Sequence, residues 1–267
     1  MRIMNHKQEE VLLIFCKLDY KNIVFRITTA YNLKMKDTPL SNRLQNIWEK
    51  PDFLAFFEKY STRKPLKVKK GGNVFYEGDQ PNKIYCIKSG FVKMFRVGES
   101  GRDSVIYLYG PGNMMGIRAL TSKDEALKHD AEAITDSEII TISKDEYVKI
   151  LEEHPEFLID LMHVFIGRLN YTERKLEGFV LTDTTARVAS FLLDCTIRFG
   201  EKRGKDIILP VPLTHQLIAD FVGAFRETVT IAINKLEVEK LIIVEKGHVT
   251  IHNLQKLEEK TEINDNL

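Results

Sequence analysis

Residues 212–253 read PLTHQLIADFVGAFRETVTIAINKLEVEKLIIVEKGHVTIHN, and their pattern sets the reading of the chain. Thr214 is placed to cap a short helix whose apolar face is Leu217, Ile218, Phe221 and Val222. Gly223-Ala224 forms a tight break. A second helix follows over about 225–239, with Val229, Ala232, Ile233 and Leu236 on its buried side. Two β-branched runs, LIIVEK and HVTIHN, then flank a Lys246-Gly247 turn. Helix, break, helix and strand pair make a winged helix-turn-helix. In that arrangement the N-terminal residues of the second helix meet base edges while the first helix crosses the phosphate backbone. Arg226 suits a bidentate bond to guanine, and Glu227 can accept from cytosine N4. Thr228 and Thr214 are candidate phosphate donors, and Thr230 and Lys235 are placed on or near the outward side.

Upstream of this unit, Asp183 and Thr184-Thr185 offer a cap for a helix that closes at Gly200. The run EKRGKD reads as a polar loop and IILPVPL as a short extended segment. Before them lies a long helix. Ser143 and Glu146 have capping-box spacing, and after His154-Pro155 the apolar pattern restarts and runs to about Leu181. Leu158, Met162, Phe165, Leu169, Thr172, Leu176 and Phe179 alternate at spacings of four and three. This is a narrow heptad seam with one polar member, Thr172, and it points to a dimer coil rather than a broad core-facing stripe.

Residues 67–142 contain short β-rich runs (NVFYEG, KIYCIKSG, FVKMFRV, SVIYLYG, AEAIT, EIITIS) separated by turn residues, the pattern of an antiparallel sandwich or barrel. The expected organisation is therefore an extension over 1–46, poorly ordered; a β-rich sensing domain over 47–150; a dimerisation helix over 151–181; and a winged helix-turn-helix domain over 182–267. The fold class is α+β. Met35 is a candidate true start, with 1–34 as an upstream extension; a genuine tail is the alternative.

Composition excludes more than it assigns. Of 267 residues, 43% are hydrophobic and 29% charged, ordinary for a globular chain. The formal net charge is only +1, so DNA binding rests on local pattern rather than on a basic footprint. Cys16, Cys86 and Cys195 are scattered and odd in number, which favours a reducing, cytoplasmic setting. No apolar run approaches the ~18 residues of a membrane span, and the short apolar run over 11–16, flanked by acidic residues and without a small-residue cleavage site, is not expected to be a secretory signal. No nucleophile–base pair, phosphate loop or metal triad argues for an enzyme.

From about Leu54 to Asn253 the chain resembles the Crp/Fnr family of bacterial transcription regulators. FRETVTIAINKLEVEKLI carries the likeness, with KKGGNVFYEGDQPNKIYCIKSGFVKMF, YGPGNMMGI and the hinge FVLTDTTARVASFLL, in which Asp183 and Arg187 match a helix-start pattern. The resemblance implies a β-roll sensing domain of the cyclic-nucleotide-binding type, a homodimer on a palindromic double-stranded DNA site, contacts with RNA polymerase, and Arg226 and Glu227 as base readers. Ile231 stands where the family often has Arg. In cyclic-nucleotide binders a Gly-Glu pair and an Arg-Ser pair hold the ligand. Here those slots read Gly116-Ile117 and approximately Leu127-Lys128, with Arg118 as a substitute cation and Thr172 at the position that faces the ligand. An apolar Ile117 cannot accept from a ribose hydroxyl, so cAMP is disfavoured and the small-molecule effector is unknown. Three scattered cysteines do not make an iron–sulfur site. Haem stays open through His129, His154, His163 or Cys86, and His248 with His252 gives two metal ligands without a third. The competing function is a ligand-binding module whose C-terminal domain makes protein contacts.

Overall fold

The computed structural model describes residues 53–99, 101–120, 126–154 and 157–261. The candidate start at Met35, the extension over 1–46 and Cys16 lie outside them.

The β-rich segment forms two antiparallel four-stranded sheets. Its strands are β1 (Leu66–Val68), β2 (Asn73–Phe75), β3 (Lys83–Ser89), β4 (Val92–Val97), β5 (Asp103–Tyr109), β6 (Met114–Met115), β7 (Asp130–Ala133) and β8 (Ser137–Ser143). One sheet has the order β1-β8-β3-β6 and the other β2-β7-β4-β5. Both mix strands from the start and end of the segment, so each hairpin is closed by distant chain, as in a roll rather than a meander. Ile84 pairs with Ile142 and Cys86 with Ile140 across β3 and β8. β3 is buried on both faces at Ile84–Ile87, because α1 (Phe53–Tyr60) packs on its outer side. Phe56, Phe57, Tyr147 and Ile150 of α1 and α2 (Lys144–Glu153) join Cys86 in one apolar core. Cys86 is thus a fully buried thiol.

Ser143 caps α2 with both halves of the capping box formed. α2 ends at His154, and α3 (Phe157–Leu181) is the long helix. α4 (Thr184–Phe199) starts with Asp183 accepting from the Ala186 amide at 2.8 Å and closes at Gly200. EKRGKD is not a loop. It forms a hairpin of β9 (Glu201–Arg203) and β10 (Asp206–Ile208), turned at Gly204 with φ +62°. This hairpin extends the wing: β11 (Ile242–Glu245), β12 (His248–Ile251), β10 and β9 make a third sheet in the order β11-β12-β10-β9. Ile207 and Ile208 of β10 fall in the segment expected to be extended, whereas polar composition hid β9, an exposed edge charged along its length, a way of blunting an open sheet edge. The helices between are α5 (His215–Val222) and α6 (Arg226–Val238), and α7 (Leu254–Glu259) ends the described chain. No described helix is long and apolar enough to cross a membrane.

Glu146 closes the α2 cap and also receives Arg63. The Arg63 guanidinium, then the Ser143 hydroxyl and amide, hold its carboxyl down at about 2, against an ordinary 4.5. A depressed carboxylate stabilises the fold fully above the unfolded value and loses that contribution as pH falls towards the folded one. Between pH 4.5 and 2, the wild type should therefore lose stability more steeply than Glu146→Gln. Urea midpoints taken across this range check it; parallel curves would contradict the assignment.

Candidate nucleic-acid interface and effector cavity

α5 and α6 form the expected pair. The Thr214 hydroxyl accepts from the Leu217 amide at 3.1 Å, and Gly223 takes the left-handed conformation at φ +64°. A Cβ at Gly223 would lie 2.7 Å from the Phe179 ring, so both backbone angle and space demand glycine. Val229, Ala232, Ile233 and Leu236 are buried, while Arg226, Glu227 and Thr228 are exposed at the start of α6. Thr230 departs from the outward role. It is half-buried, its hydroxyl donates to Arg226 O at 2.9 Å, and His215 Nδ1 lies 2.8 Å away. Thr230 ties α5 to α6, and its hydroxyl hydrogen is already used. Thr214 spends a lone pair on its cap and keeps its O–H to donate. α6 opens at Phe225, which offers no capping side chain and is 65% exposed.

The DNA-reading unit is docked on the sheets. Arg102, at the end of the β4–β5 hairpin, donates to Ala224 O at 2.7 Å and stacks 4.7 Å from the Phe225 ring centre. Lys175 of α3 donates to Val105 O at 2.8 Å and lies 4.0 Å over Phe221; burial lowers its pKa to about 8, with Asp194 opposing. Arg198 of α4 is buried. It donates to Asp194 Oδ2 at 3.2 Å, to Asn113 Oδ1 at 3.3 Å and to Leu108 O of β5, and sits 4.5 Å from the Tyr107 ring. Arg187 in the hinge donates to Val222 O at 3.2 Å and to Thr182 O at 2.8 Å, fixing α4 to the end of α5. Nothing in the linear pattern marked Arg198 or Arg102, because a charged residue on a helix or at a hairpin tip reads as solvated.

The sensing domain holds a cavity of about 280 Å³. Gly116, Ile117, Arg118, Lys128 and Thr172, widely separated in sequence, all border it. Ile117 is also 1% exposed and part of the apolar core, so it shapes the wall without offering a polar group. Gly116 has φ +77°, and a Cβ there would lie 2.7 Å from Lys83 O. The sequence reading missed Arg168, which borders the cavity, donates to Met114 O, and lies 5.6 and 5.5 Å from the rings of Tyr107 and Tyr109. Its place four residues before Thr172, on one helix face, was the available signal. His129 borders the cavity too; burial, then Arg118 and Arg96, lower its pKa, leaving it neutral near pH 7. Burial pushes the Tyr107 phenol up to about 12. None of the described residues around the cavity is acidic.

On α3 the heptad residues face outward: Leu158, Met162, Phe165, Leu169, Leu176 and Phe179 are all large exposed apolar side chains. Phe165 and Thr172 border the cavity as well. Thr172 turns its hydroxyl to Arg168 O at 2.9 Å. Phe179 also packs on Gly223, so it braces the helix-turn-helix of its own chain. His252 pairs with Asp206 at 2.7 Å. Among the described residues no group of three potential metal ligands occurs.

A β-roll with a cavity, a long exposed-seam helix and a winged helix-turn-helix define the architecture of a DNA-binding regulator. Family comparison agrees. Residues 65–154 match the cyclic nucleotide-binding domain, and residues 186–260 match the Crp-like helix-turn-helix domain. A CRP-like cAMP-activated global transcriptional regulator of Mycobacterium tuberculosis is 31% identical over 193 residues, covering 72% of this chain and 86% of the relative. The global nitrogen regulator of Synechococcus elongatus is 29% identical over 202 residues, 74% and 91% of the two chains. The structure of FixK2 from Bradyrhizobium japonicum shares the fold at TM-score 0.65 and 20% identity, over 74% of this chain and 96% of that one. A CRP/FNR-family regulator from Thermus thermophilus superposes at TM-score 0.60 with 26% identity, over 74% and 98%. The chain belongs to the Crp/Fnr family and is a DNA-binding transcription regulator of that type.

Asp194→Ala should destabilise the protein by about 3–5 kcal/mol, because it leaves the buried Arg198 guanidinium without its carboxylate. Chemical denaturation measures this; a loss under about 1 kcal/mol would show that the pair contributes as little as a solvated one.

Proposed function

We propose that the protein works as a homodimer on a palindromic DNA site, with Arg226 and Glu227 as base readers and a small anionic effector in the β-roll cavity as its control. The observation that carries this reading is the exposed N-terminus of α6, with Arg226, Glu227 and Thr228 in solvent opposite a fully buried helix face. The exposed heptad residues of α3, with Ile166 and Val180 exposed beside them, support pairing with an equivalent helix of a second copy. Two recognition helices held this way must lie about one DNA turn apart, ~34 Å. RNA polymerase is the further partner expected of such a regulator.

Three cationic side chains, Arg118, Lys128 and Arg168, border the cavity among aromatic walls. Charge complementarity favours an anionic ligand with an apolar body. Activation by cAMP, as the mycobacterial relative's name states for that protein, fits poorly here. Ile117 offers no acceptor for a ribose hydroxyl. The effector changes DNA binding only as far as it prefers one arrangement of the two α3–α4 joints over another.

Arg226→Ala should lower affinity for the cognate duplex and relax preference at one base position, by roughly 1–3 kcal/mol. Fluorescence anisotropy against a panel of single-base variants measures it. Unchanged affinity and unchanged base preference would remove Arg226 from the reading set.

A further inference from the structure

The outward face of α6 carries a residue that neither folding nor charge explains. Ile231 is 70% exposed, although the buried side of the same helix is filled by Val229, Ala232, Ile233 and Leu236. A β-branched side chain is a poor choice for a solvated helix surface, since it gives up rotamer freedom and buries nothing. Exposure alone decides little, because Val238 is exposed at the far end of the helix as well. Position decides it. Ile231 follows Glu227 by four residues and shares its face, directly opposite the buried stripe. Any base-reading pose that places Glu227 in the groove brings Ile231 in behind it. Four residues advance about 6 Å along the helix axis, against ~3.4 Å per base step, so Ile231 falls no more than about two base pairs from the one Glu227 addresses.

We propose that Ile231 is a specificity-determining residue that reads a thymine through its C5-methyl group. The major groove presents one apolar marker, that methyl, and apolar side chains recognise it by contact. Ile231 has no donor or acceptor for a base edge and no charge for a phosphate. Its contribution to affinity comes from removing its exposed surface and the methyl from water together. The inference rests on α6 being the base-reading helix, and the experiment separates the two claims.

The full-length protein is first used to select duplexes from a random pool. Each thymine of the enriched half-site is then replaced singly by deoxyuridine, which deletes only the methyl and leaves base pairing intact. Binding is measured by anisotropy for wild type and for Ile231→Gln, which keeps a good helix former and removes the apolar contact. One thymine per half-site, within two steps of the pair sensitive to Glu227→Ala, should respond. Its replacement should weaken wild-type binding about fourfold in one half-site and about sixteenfold in both, the scale of one buried methyl group. Ile231→Gln should bind the thymine and deoxyuridine duplexes equally. An enriched sequence with no methyl-sensitive thymine, or with sensitivity that persists in Ile231→Gln, would overturn the Ile231 assignment and leave the base-reading helix standing. Failure to enrich any sequence would overturn both.

Discussion

The buried guanidinium of Arg198 is the constraint on which the arrangement of the two halves depends. It belongs to α4, the first helix of the DNA-reading domain, yet it donates to Leu108 O of β5 and to the Asn113 side chain in the sensing domain. Asp194, one turn earlier, supplies the countercharge. A charge taken this far out of water needs its countercharge and acceptors held in place, and those of Arg198 tie α4 to its seat on the sheet. Phe199 adds shape to the same joint, packing edge-on at 5.3 Å from Phe91 and filling the space beside Gly110. Around this fixed point Lys175 and Arg102 add donors to Val105 O and Ala224 O. The domain joint thus combines this aromatic packing with cationic side chains held by backbone carbonyls, which set position by direction and distance.

The same joint borders the cavity. The Tyr107 ring lies in the cavity wall, 5.6 Å from Arg168 and 4.5 Å from Arg198. Arg168 stands on the long helix, so one aromatic ring touches the cavity, the seam helix and the DNA-reading domain. Phe165 and Thr172 join cavity and seam on α3 itself. Any group that redirects Arg168 alters the field at a ring that Arg198 also needs. The proposed effector control would then require no long pathway, only a ligand that prefers one setting of Arg168 over another.

Much of this was legible in the sequence because it depends on period and caps. Ser143, Asp183 and Thr214 marked three helix starts, the Gly223 break fixed the turn, and the seam of α3 stood out by its heptad spacing. Gly116, Ile117, Arg118, Lys128 and Thr172 at the cavity were also named, through the slots that the resemblance points to and Arg118 as a substitute cation. What escaped has a common physical cause. Arg198, Arg168 and Arg102 owe their roles to tertiary burial or to carbonyls brought up from distant chain, and a charged side chain carries no sign of this in its neighbours. Strand β9 escaped because it is a short charged edge without apolar alternation, although Ile207 and Ile208 of β10 lay in the segment read as extended. Thr230 was expected on or near the outward side, and its contact with His215, fifteen residues earlier, was not visible in the local pattern.

The central claim is a two-fold reader: two copies of α6, fixed to two sensing domains and paired through α3, on one symmetric site. Sedimentation of the protein with a selected duplex, compared with the same duplex carrying only one intact half-site, tests it most directly. The account predicts two protomers on the full site, with affinity collapsing towards the nonspecific level when one half-site is destroyed and falling steeply with salt as phosphate counterions are released. One protomer per full site, bound as tightly to the half-site as to the whole, would contradict it.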